Sequence, residues 1–396
     1  MIVQLKNLTT VITKGTTPST IGEPFTNSGI NFIKSESITE NKNLDNTIYE
    51  HINKQTHEKM FRSQLQKNDI LISIAGAYLG KVAMVREIDL PANTNQAVGI
   101  IRLDEKKVNP EYIYYYLSSN FMNSYINKLS AQSSQPNLNL DLLGKLPINI
   151  VNRGVQDKIV NILASIDIQI TRNNDMVQKL QDLTISTYSR WFNQFEFLNK
   201  DGLPYKSYGG EFVYNEELKR NIPIDWKVKE LGDILKESDK SQIQVGDAKQ
   251  NIGTYPFFTS GEEIILYKDY FVNGAYCYLN TGGNADVKFF DGKASYSTDT
   301  WCISFNEYTY IMNEYLQSIK PLMDKLFFSG SGLKHLQKEV FKKQKILIPP
   351  QNIVFKYNDI FDDCHKQISK IYMQNIELNN LKTKLLPLLI NGQLEV

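Results

Sequence analysis

Three short motifs in this 396-residue sequence contain residue types that could carry out chemistry. Glu217-Leu-Lys219 has the Glu-x-Lys spacing of metal-dependent nucleases, but so short a pattern arises by chance, and a surface ion pair is the better interpretation. Asn280-Thr-Gly-Gly-Asn284 could hold a phosphate, yet no Gly-Lys-Ser/Thr follows it, so we interpret it as a turn. A DNA methyltransferase would need a Gly-rich cofactor turn and an Asn/Asp-Pro-Pro-aromatic motif, whereas the Pro-Pro pair here is Ile348-Pro-Pro-Gln351. The sequence therefore predicts a protein that is not an enzyme.

The cysteines and histidines do not suggest a metal or disulfide site. Cys277, Cys302 and Cys364 lie far apart without a Cys-x-x-Cys spacing, and the four histidines are no better placed. We therefore predict no metal and no cofactor bound by this chain. The first residues lack the apolar core of a signal peptide, and no run of about 18 apolar residues occurs. The prediction is a cytoplasmic protein without a membrane partner.

The charges of the chain nearly balance. Lys and Arg number 44 against 43 Asp and Glu, so the net charge is +1, and any nucleic-acid surface must be a local patch. The densest basic cluster could face phosphates or could equally be a solvated surface; it consists of Lys334, His335, Lys338, Lys342, Lys343 and Lys345.

The elements that would position functional side chains are organised around a long stretch, residues 153–195. Apolar residues recur there three or four apart, which is the period of an amphipathic helix that can pair with another helix. A second stretch near the end of the sequence repeats the pattern, and many of its positions lie 198 residues after those of the first. The two predicted seams consist of Ile159, Leu163, Ile166, Ile170, Asn173, Val177 and Leu180, and of Ile360, Cys364, Ile368, Ile371, Asn375, Leu378 and Leu385.

The two seams indicate a coiled coil rather than two ordinary core helices of one domain. Helices in globular domains usually run to about 11–12 residues, and these are far longer. Asn173 and Asn375 are either polar residues that set the register of the pair or simply exposed side chains.

A globular block precedes each predicted helix. In the first block, residues 69–74, 81–85 and 97–103 have the composition of strands, and Asn109-Pro110 begins a helix through about residue 129. The second block repeats this order: residues 298–304 match 94–100, and 329–336 stand where 133–138 stood. The prediction is an internally duplicated α+β chain of four segments, 1–150, 151–198, 199–350 and 351–396.

Several short motifs in the sequence resemble those of a known family. They are Lys14-Gly-Thr-Thr-Pro18, Asn68-Asp-Ile-Leu-Ile-Ser73, Asn95-Gln96, Gln156-Asp-Lys-Ile159, Ile222-Pro-Ile-Asp-Trp226, Tyr255-Pro-Phe-Phe, Gly330-Ser-Gly332, Pro349-Pro350 and the ending Leu385-Leu-Pro-Leu-Leu-Ile-Asn-Gly392. Each piece alone is weak, but their order, spacing and duplication are specific. Together they resemble the specificity (S) subunits of Type I restriction–modification systems, over nearly the whole chain.

The resemblance implies a non-catalytic subunit. Two globular α/β target recognition domains would each read one half of a bipartite double-stranded DNA target, and the two long helices would pair as an antiparallel coiled coil between them. Two methylation subunits would dock on the helices, and restriction subunits would join the assembly. S-adenosylmethionine would then belong to the methylation subunits, and ATP and Mg to the restriction subunits. About 40 residues of helix span roughly 60 Å, which exceeds the roughly 34 Å between half-sites one turn of DNA apart.

DNA reading needs donors and acceptors on loops, together with cations for the phosphates. The candidates in the first block are Lys14, Thr16, Lys34, Ser73, Tyr78, Lys81, Asn95, Gln96, Gln135 and Asn137. Those in the second block are Ser260, Thr281, Asn284, Lys288, Ser331, Lys334 and His335. Each could instead be a capping or turn-forming side chain. We expect the partner surface for the methylation subunits around Trp191, Phe192 and residues 386–389.

Two other classes of function remain open at this point. One is a nuclease or methyltransferase with recognition domains attached, which activity of the purified chain would reveal. The other is a coiled-coil scaffold without a DNA role, which an absence of DNA binding in the presence of partners would support.

Overall fold

The computed structural model describes residues 1–39, 42–130 and 137–395. The chain forms two compact units: unit 1 is Met1–Ile168 with Asn380–Val396, and unit 2 is Gln169–Asn379. Both boundaries fall inside the two long helices, so this division differs from the four segments predicted above.

Unit 1 contains three sheets. Its strands are β1 (Ile2–Gln4), β2 (Thr9–Lys14), β3 (Ile30–Ile33), β4 (Glu50–Ile52), β5 (Ile70–Ser73), β6 (Val82–Met84), β7 (Ala92–Thr94), β8 (Val98–Leu103) and β9 (Pro147–Asn149). Its helices are α1 (Lys54–Lys59), α2 (Pro110–Leu117), α3 (Asn120–Ser130), α4 (Leu140–Gly144) and the first part of α5 (Arg153–Tyr188). The sheet orders are β2-β8-β5-β6, β4-β3-β7 and β1-β9.

Local signals explain where several of these elements begin. Asn109 caps α2, because its side-chain oxygen accepts a hydrogen bond from the main-chain N–H of Glu111, and Pro110 occupies the first helical position. The predicted single helix is broken in the structure, since a new helix, α3, starts after Ser119. The Ser119 hydroxyl accepts a hydrogen bond from the N–H of Met122 at 3.2 Å. Serine at this position therefore acts as a helix cap rather than as part of one continuous helix.

Unit 2 is built around a six-stranded sheet. Its strands are β10 (Phe212–Asn215), β11 (Arg220–Pro223), β12 (Lys227–Glu230), β13 (Lys236–Glu237), β14 (Tyr255–Phe258), β15 (Ile264–Tyr267), β16 (Val272–Asn280), β17 (Val287–Tyr296), β18 (Thr300–Ser304), β19 (Phe328–Ser329), β20 (His335–Leu336) and β21 (Lys345–Ile348). Its helices are α6 (Leu231–Ile234), α7 (Val245–Gln250), α8 (Thr309–Leu326), α9 (Lys338–Lys342) and most of α10 (Gln351–Ile390). The large sheet has the order β13-β18-β16-β17-β14-β15.

The internal duplication is visible in how each block opens and closes. In unit 1 the first strand, β1, pairs antiparallel with β9, and in unit 2 β12 pairs antiparallel with β21; β9 and β21 each precede a long helix. The following N–H groups pair in the same way: Leu5 donates to the carbonyl of Leu146 at 3.0 Å, and Leu231 donates to that of Gln344 at 2.9 Å. The fold is thus an internally duplicated α+β architecture with two long helices.

The long helices pair antiparallel within unit 2. The side-chain amide of Asn173 donates to the Asn375 side chain at 2.8 Å, and Tyr357 donates through its hydroxyl to the carbonyl of Thr184 at 3.2 Å. Residues that come later in α5 therefore contact residues that come earlier in α10. Asn173 and Asn375 are both buried, and their mutual hydrogen bond satisfies polar groups that would otherwise weaken an apolar seam.

The parts of the same helices in unit 1 also pack together. Ile159 and Leu163 of α5 share a core cluster with Leu386 and Leu389 of α10. The Lys382 ammonium group forms an ion pair with Asp167 across the pair. The helices are 36 and 40 residues long, roughly 54 and 60 Å at about 1.5 Å per residue.

Most predicted seam residues lie inside the helix pair or the cores next to it. The buried ones are Ile159, Leu163, Ile166, Asn173, Val177, Ile368, Ile371 and Asn375, and the half-buried ones are Ile170, Leu180, Cys364, Leu378 and Leu385. Ile360 was predicted wrongly, because its side chain is 51% exposed. The inward face of α10 there carries Tyr357 and Phe361, and Ile360 lies one position to the side of that face.

The predicted partner surface is also wrong for its aromatic members. Trp191 and Phe192 are buried in the core of unit 2, where the Phe192 ring lies 5.8 Å from Trp226 and 5.3 Å from Tyr357. Leu386 and Leu389 are likewise buried in the core of unit 1. The aromatic side chains at the end of α5 therefore pack in the core of unit 2 and do not form an exposed docking surface.

Candidate nucleic-acid interface

Three loop segments, residues 74–75, 97 and 137–138, meet at one end of the main sheet of unit 1 and form a concave surface. We call this arrangement the loop crossing. The chain leaves β5 at Ile74, whose carbonyl accepts a hydrogen bond from the N–H of Leu138 at 2.9 Å, and Ala75 forms a β-bridge with Asn137. The N–H of Ile74 donates to the carbonyl of Ala97 in the turn before β8. Three separate segments are thereby fixed next to one another, and a pocket of about 550 Å³ lies between them.

Four predicted DNA contacts line this pocket together. They are Lys14, Thr16, Gln96 and Asn137, which come from three separate segments of the sequence. Gly15 makes this convergence possible, because a Cβ atom there would lie 2.0 Å from the carbonyl oxygen of Thr94. The close approach lets the N–H of Thr16 donate to that same carbonyl at 3.0 Å.

Two further lining residues, Thr20 and Arg62, were missed from the sequence. Arg62 follows the short helix α1 and belongs to no recognisable motif, so no local signal could have identified it. Together with Lys14 it gives the pocket two cations, and none of the described lining residues is a carboxylate. Neither cation has an ion-pair partner within the described residues. The pocket therefore combines positive charge for phosphates with amides that can hydrogen-bond base edges.

The other predicted contacts of unit 1 have different surroundings. Ser73 was predicted wrongly, because all four residues of β5 are buried and the Ser73 side chain has no exposed surface. Lys34 forms an ion pair with Glu50 at 2.5 Å, and the Lys81 ammonium group lies 4.5 Å from the centre of the Tyr78 ring. Asn95 is half-buried, and Gln135 lies outside the described residues.

Unit 2 contains the same loop crossing. The chain leaves β16 at Thr281, whose carbonyl accepts a hydrogen bond from the N–H of Leu336 at 3.0 Å, and Gly282 forms a β-bridge with His335. Gly283 donates through its N–H to the carbonyl of Lys334. Thr281, Lys334 and His335, which were predicted separately, are therefore neighbours, and Lys334 and His335 are exposed.

The paired strands give the register of the duplication. Ser73 pairs with Val98 in unit 1, and Asn280 pairs with Thr300 in unit 2, in each case just before the chain enters the loop crossing. The predicted match of residues 298–304 with 94–100 is therefore wrong by two positions. Val98 corresponds to Thr300, and the turn before each of these strands has three residues, 95–97 and 297–299.

Lys288 was predicted as a DNA contact but serves a structural purpose. Its side chain is only 13% exposed, and its ammonium group donates to the carbonyls of Thr259 and Gly261 while lying 3.6 Å from Asp286. Burial lowers the pKa of Lys288. Its contacts fix the loop that carries Ser260, so Lys288 positions this loop rather than facing solvent. Two other predicted contacts, Asn284 and Ser331, are exposed.

Acidic side chains pair with three of the six members of the basic cluster identified in the sequence, Lys338, Lys342 and Lys345. Lys342 pairs with Glu237 at 2.6 Å, and Lys345 lies 3.4 Å from both Glu217 and Glu230. The solvated-surface interpretation is thus favoured for this part of the cluster. Glu217 of the Glu-x-Lys motif accordingly forms a surface ion pair.

The described residues contain no group of three or more His, Cys, Asp or Glu side chains that could hold a metal ion. None of the helices in the described part of the chain is both long enough and apolar enough to cross a membrane.

Comparison with protein families gives a match over both halves of the chain. The family model for the Type I restriction modification DNA specificity domain matches residues 1–209 and again residues 223–386. The chain belongs to this family. The two matches coincide with the two copies of the duplicated architecture, each made of a globular block and the helix that follows it.

Named relatives of this specificity-domain protein agree with the assignment. The MjaIX specificity subunit of a Type I restriction enzyme from Methanocaldococcus jannaschii is 26% identical over 361 residues, which cover 83% of this chain and 78% of the relative. The EcoBI specificity subunit from Escherichia coli is 29% identical over 36% of this chain and 30% of the relative. The fold is similar to the crystal structure of a Type I restriction–modification S subunit from M. genitalium. The TM-score is 0.58 at 15% identity, over 98% of this chain and 95% of that one.

Proposed function

We propose that this chain is the non-catalytic specificity subunit of a Type I restriction–modification complex. The globular block of each unit reads one half of a bipartite double-stranded DNA target. The helix pair sets the distance between the two halves and holds two methylation subunits, with which restriction subunits assemble. Methyl transfer, ATP hydrolysis and DNA cleavage are then the work of the partner subunits.

The observation that carries this proposal is the repeated loop crossing. In each unit three sequence segments converge at one end of the sheet. The exposed side chains are amides, a hydroxyl and cations in unit 1, and Lys334, His335 and Asp299 in unit 2. One such surface could have many uses, but two copies on a duplicated scaffold suit a ligand that presents two separate recognition sites. DNA with a bipartite target is such a ligand.

The local charge of unit 1 agrees with the proposal despite the neutral chain. Lys14 and Arg62 give the pocket a positive potential, because none of its described lining residues is a carboxylate, while Gln96 and Asn137 offer paired donors and acceptors. The described lining of this pocket contains two cations, which suggests that the methylation subunits supply further phosphate contacts, since phosphate neutralisation dominates DNA affinity.

The decisive experiment is to map methylated bases in the host genome with and without this gene. We expect one bipartite motif to lose its methylation completely when the gene is deleted and to regain it when the gene is restored. A methylome that does not change would reject the proposal. Methylation or cleavage by the purified chain alone would favour an enzyme instead, and DNA binding that never occurs, even with partners, would favour a scaffold.

A further inference from the structure

An exposed carboxylate lies at the centre of the loop crossing in unit 2. Asp299 is in the tight turn between β17 and β18, and its main-chain carbonyl accepts hydrogen bonds from both the N–H and the hydroxyl of Thr281, at 3.1 and 2.9 Å. These bonds fix the position of the residue while its side chain remains exposed. The carboxylate has no ion pair and no hydrogen bond within the described residues.

The internal duplication identifies the residue of unit 1 that corresponds to Asp299. Val98 corresponds to Thr300, so Asp299 corresponds to Ala97. The hydrogen bonds agree, because the N–H of Ile74 donates to the Ala97 carbonyl just as the N–H of Thr281 donates to the Asp299 carbonyl. Ala97 lines the pocket of unit 1 together with Lys14, Gln96 and Asn137. Asp299 therefore occupies, in unit 2, the position that belongs to the candidate interface in unit 1.

A carboxylate at this place is unfavourable for binding phosphates. Its charge repels the DNA backbone, and Lys334 and His335 of the same crossing do not neutralise it by direct contact. A hydrogen-bond donor on a base edge would offset that repulsion. In the major groove the exocyclic amino group of cytosine is the donor that Asp and Glu characteristically accept from.

We propose that Asp299 is a specificity-determining residue, whose carboxylate accepts a hydrogen bond from the exocyclic amino group of a cytosine in the half-site read by unit 2. This inference rests on the proposed function. Ala97, which lacks polar side-chain atoms, cannot make the equivalent contact in unit 1. The two loop crossings therefore have the same main-chain hydrogen bonds but recognise different bases at the matching position.

The proposal gives Asp299→Ala a two-part signature. Removing the carboxylate removes one base contact, so discrimination at a single C·G pair of one half-site should fall about tenfold to a hundredfold. Removing the negative charge should also strengthen binding to DNA that lacks the motif, because phosphate repulsion disappears. Asp299→Asn keeps the side-chain shape and adds a donor, so it should relax the same position without affecting the other half-site.

The test uses the assembled methylation complex carrying each variant. Methylome sequencing gives the motif, and titration of duplexes with and without the wild-type motif gives both affinities. Glu216→Ala, which removes an exposed carboxylate in the turn between β10 and β11 of the same unit, is the matched control and should leave motif and affinities unchanged. If both Asp299 variants retain the full motif at every position, the inference is rejected.

This failure would be distinct from failure of the proposed function. If deleting the gene abolishes methylation at a bipartite motif while Asp299→Ala leaves that motif intact, only the role of Asp299 is wrong. If Asp299→Ala weakened every DNA sequence equally, Asp299 would be a structural turn residue, and the base contact would again be rejected.

Discussion

A buried acid and a buried imidazole face each other in unit 2. Glu314 of α8 is 2% exposed and His365 of α10 is 1% exposed, and the Glu314 Oε1 and His365 Nε2 atoms are 3.7 Å apart. Both ring nitrogens lack a hydrogen-bond partner within the described residues. The His365 ring stacks on Tyr310 with 4.4 Å between the ring centres, and the Tyr310 hydroxyl lies within hydrogen-bond distance of Asp291 and Asp362, at 2.7 and 2.8 Å.

Unit 1 has a different set of side chains at the matching positions. His365 corresponds to Asp167, which lies 198 residues earlier, and Glu314 corresponds to Tyr115. Tyr115 donates to Asp167 at 2.8 Å, and Lys382 supplies the countercharge. The position matching Lys382 is Thr184, which is uncharged. The carboxylate of unit 1 is therefore compensated by a permanent cation, whereas the acid in unit 2 depends on protonation.

Protonation in unit 2 gives a prediction with a definite sign. Burial raises the pKa of Glu314 from 4.5 to about 7 and lowers the pKa of His365 from 6.5 to about 4. Between pH 4.5 and 6.5 the pair thus holds one proton in the folded chain, on Glu314, and one in the unfolded chain, on His365. The two contributions to the pH dependence of unfolding cancel in the wild type, because equal numbers of protons are bound.

Single substitutions should break this cancellation in opposite directions. Glu314→Gln leaves only the depressed pKa of His365, so the free energy of unfolding should rise from about pH 4 to 6.5, by up to about 1.4 kcal/mol per pH unit. His365→Gln leaves only the raised pKa of Glu314, so the free energy of unfolding should fall from about pH 4.5 to 7 with a similar slope. Denaturant unfolding of each variant relative to wild type measures both slopes. The double variant is the control and should be flat; equal slopes in the two single variants would contradict the assignment.

Some residues of the candidate interface could be predicted from the sequence, because they are polar or charged and lie in predicted loops. Lys14, Thr16, Gln96 and Asn137 were chosen as polar or charged side chains in predicted loops, and they do meet in one pocket. Ser73 was wrong because strand pairing on both sides buries β5 entirely, which its own sequence does not show. Arg62 and Asp299 could be placed only with the tertiary structure, since their neighbours in the interface come from distant segments.

The long helices could be predicted at the element scale because their apolar period is sustained over many turns. What the period does not fix is the width of the buried face, as Ile360 and Ile368 show. Both were predicted as seam residues, but Ile360 is 51% exposed and Ile368 is 4% exposed. Ile368 packs in one cluster with Val177 and Ile371, whereas the face at Ile360 is turned toward solvent.

This contrast provides a matched pair of substitutions on one helix. Ile368→Asp buries a charge without a partner, so the free energy of unfolding should fall by several kcal/mol, to the extent that the site remains dry. Ile360→Asp places the same charge in water and should change the free energy of unfolding by less than about 0.5 kcal/mol. Chemical denaturation of both full-length variants measures the difference. Similar losses in the two would mean that the helix pair is not held by the Ile368 face.

At the scale of the whole molecule, the chain consists of two copies of one plan with different side chains. The strand pairs that open and close each block, the loop crossings and the long helices all recur. The side chains differ both at the crossings, where Ala97 corresponds to Asp299 and Asn137 to His335, and in the packed interior, where Tyr115 corresponds to Glu314.

Independence of the two surfaces can be tested by exchanging one block. We expect replacement of residues 1–150 by the equivalent block of a relative with a known, different motif to change one half of the methylated sequence. The other half should remain, because the crossing in unit 2 takes all its residues from segments after residue 198. Methylome sequencing of a host that carries the hybrid measures both halves at once, with residues 199–350 exchanged as the reciprocal control. A hybrid that alters both halves would reject reading by separate domains, since the exchanged block contributes no residue to the loop crossing of unit 2.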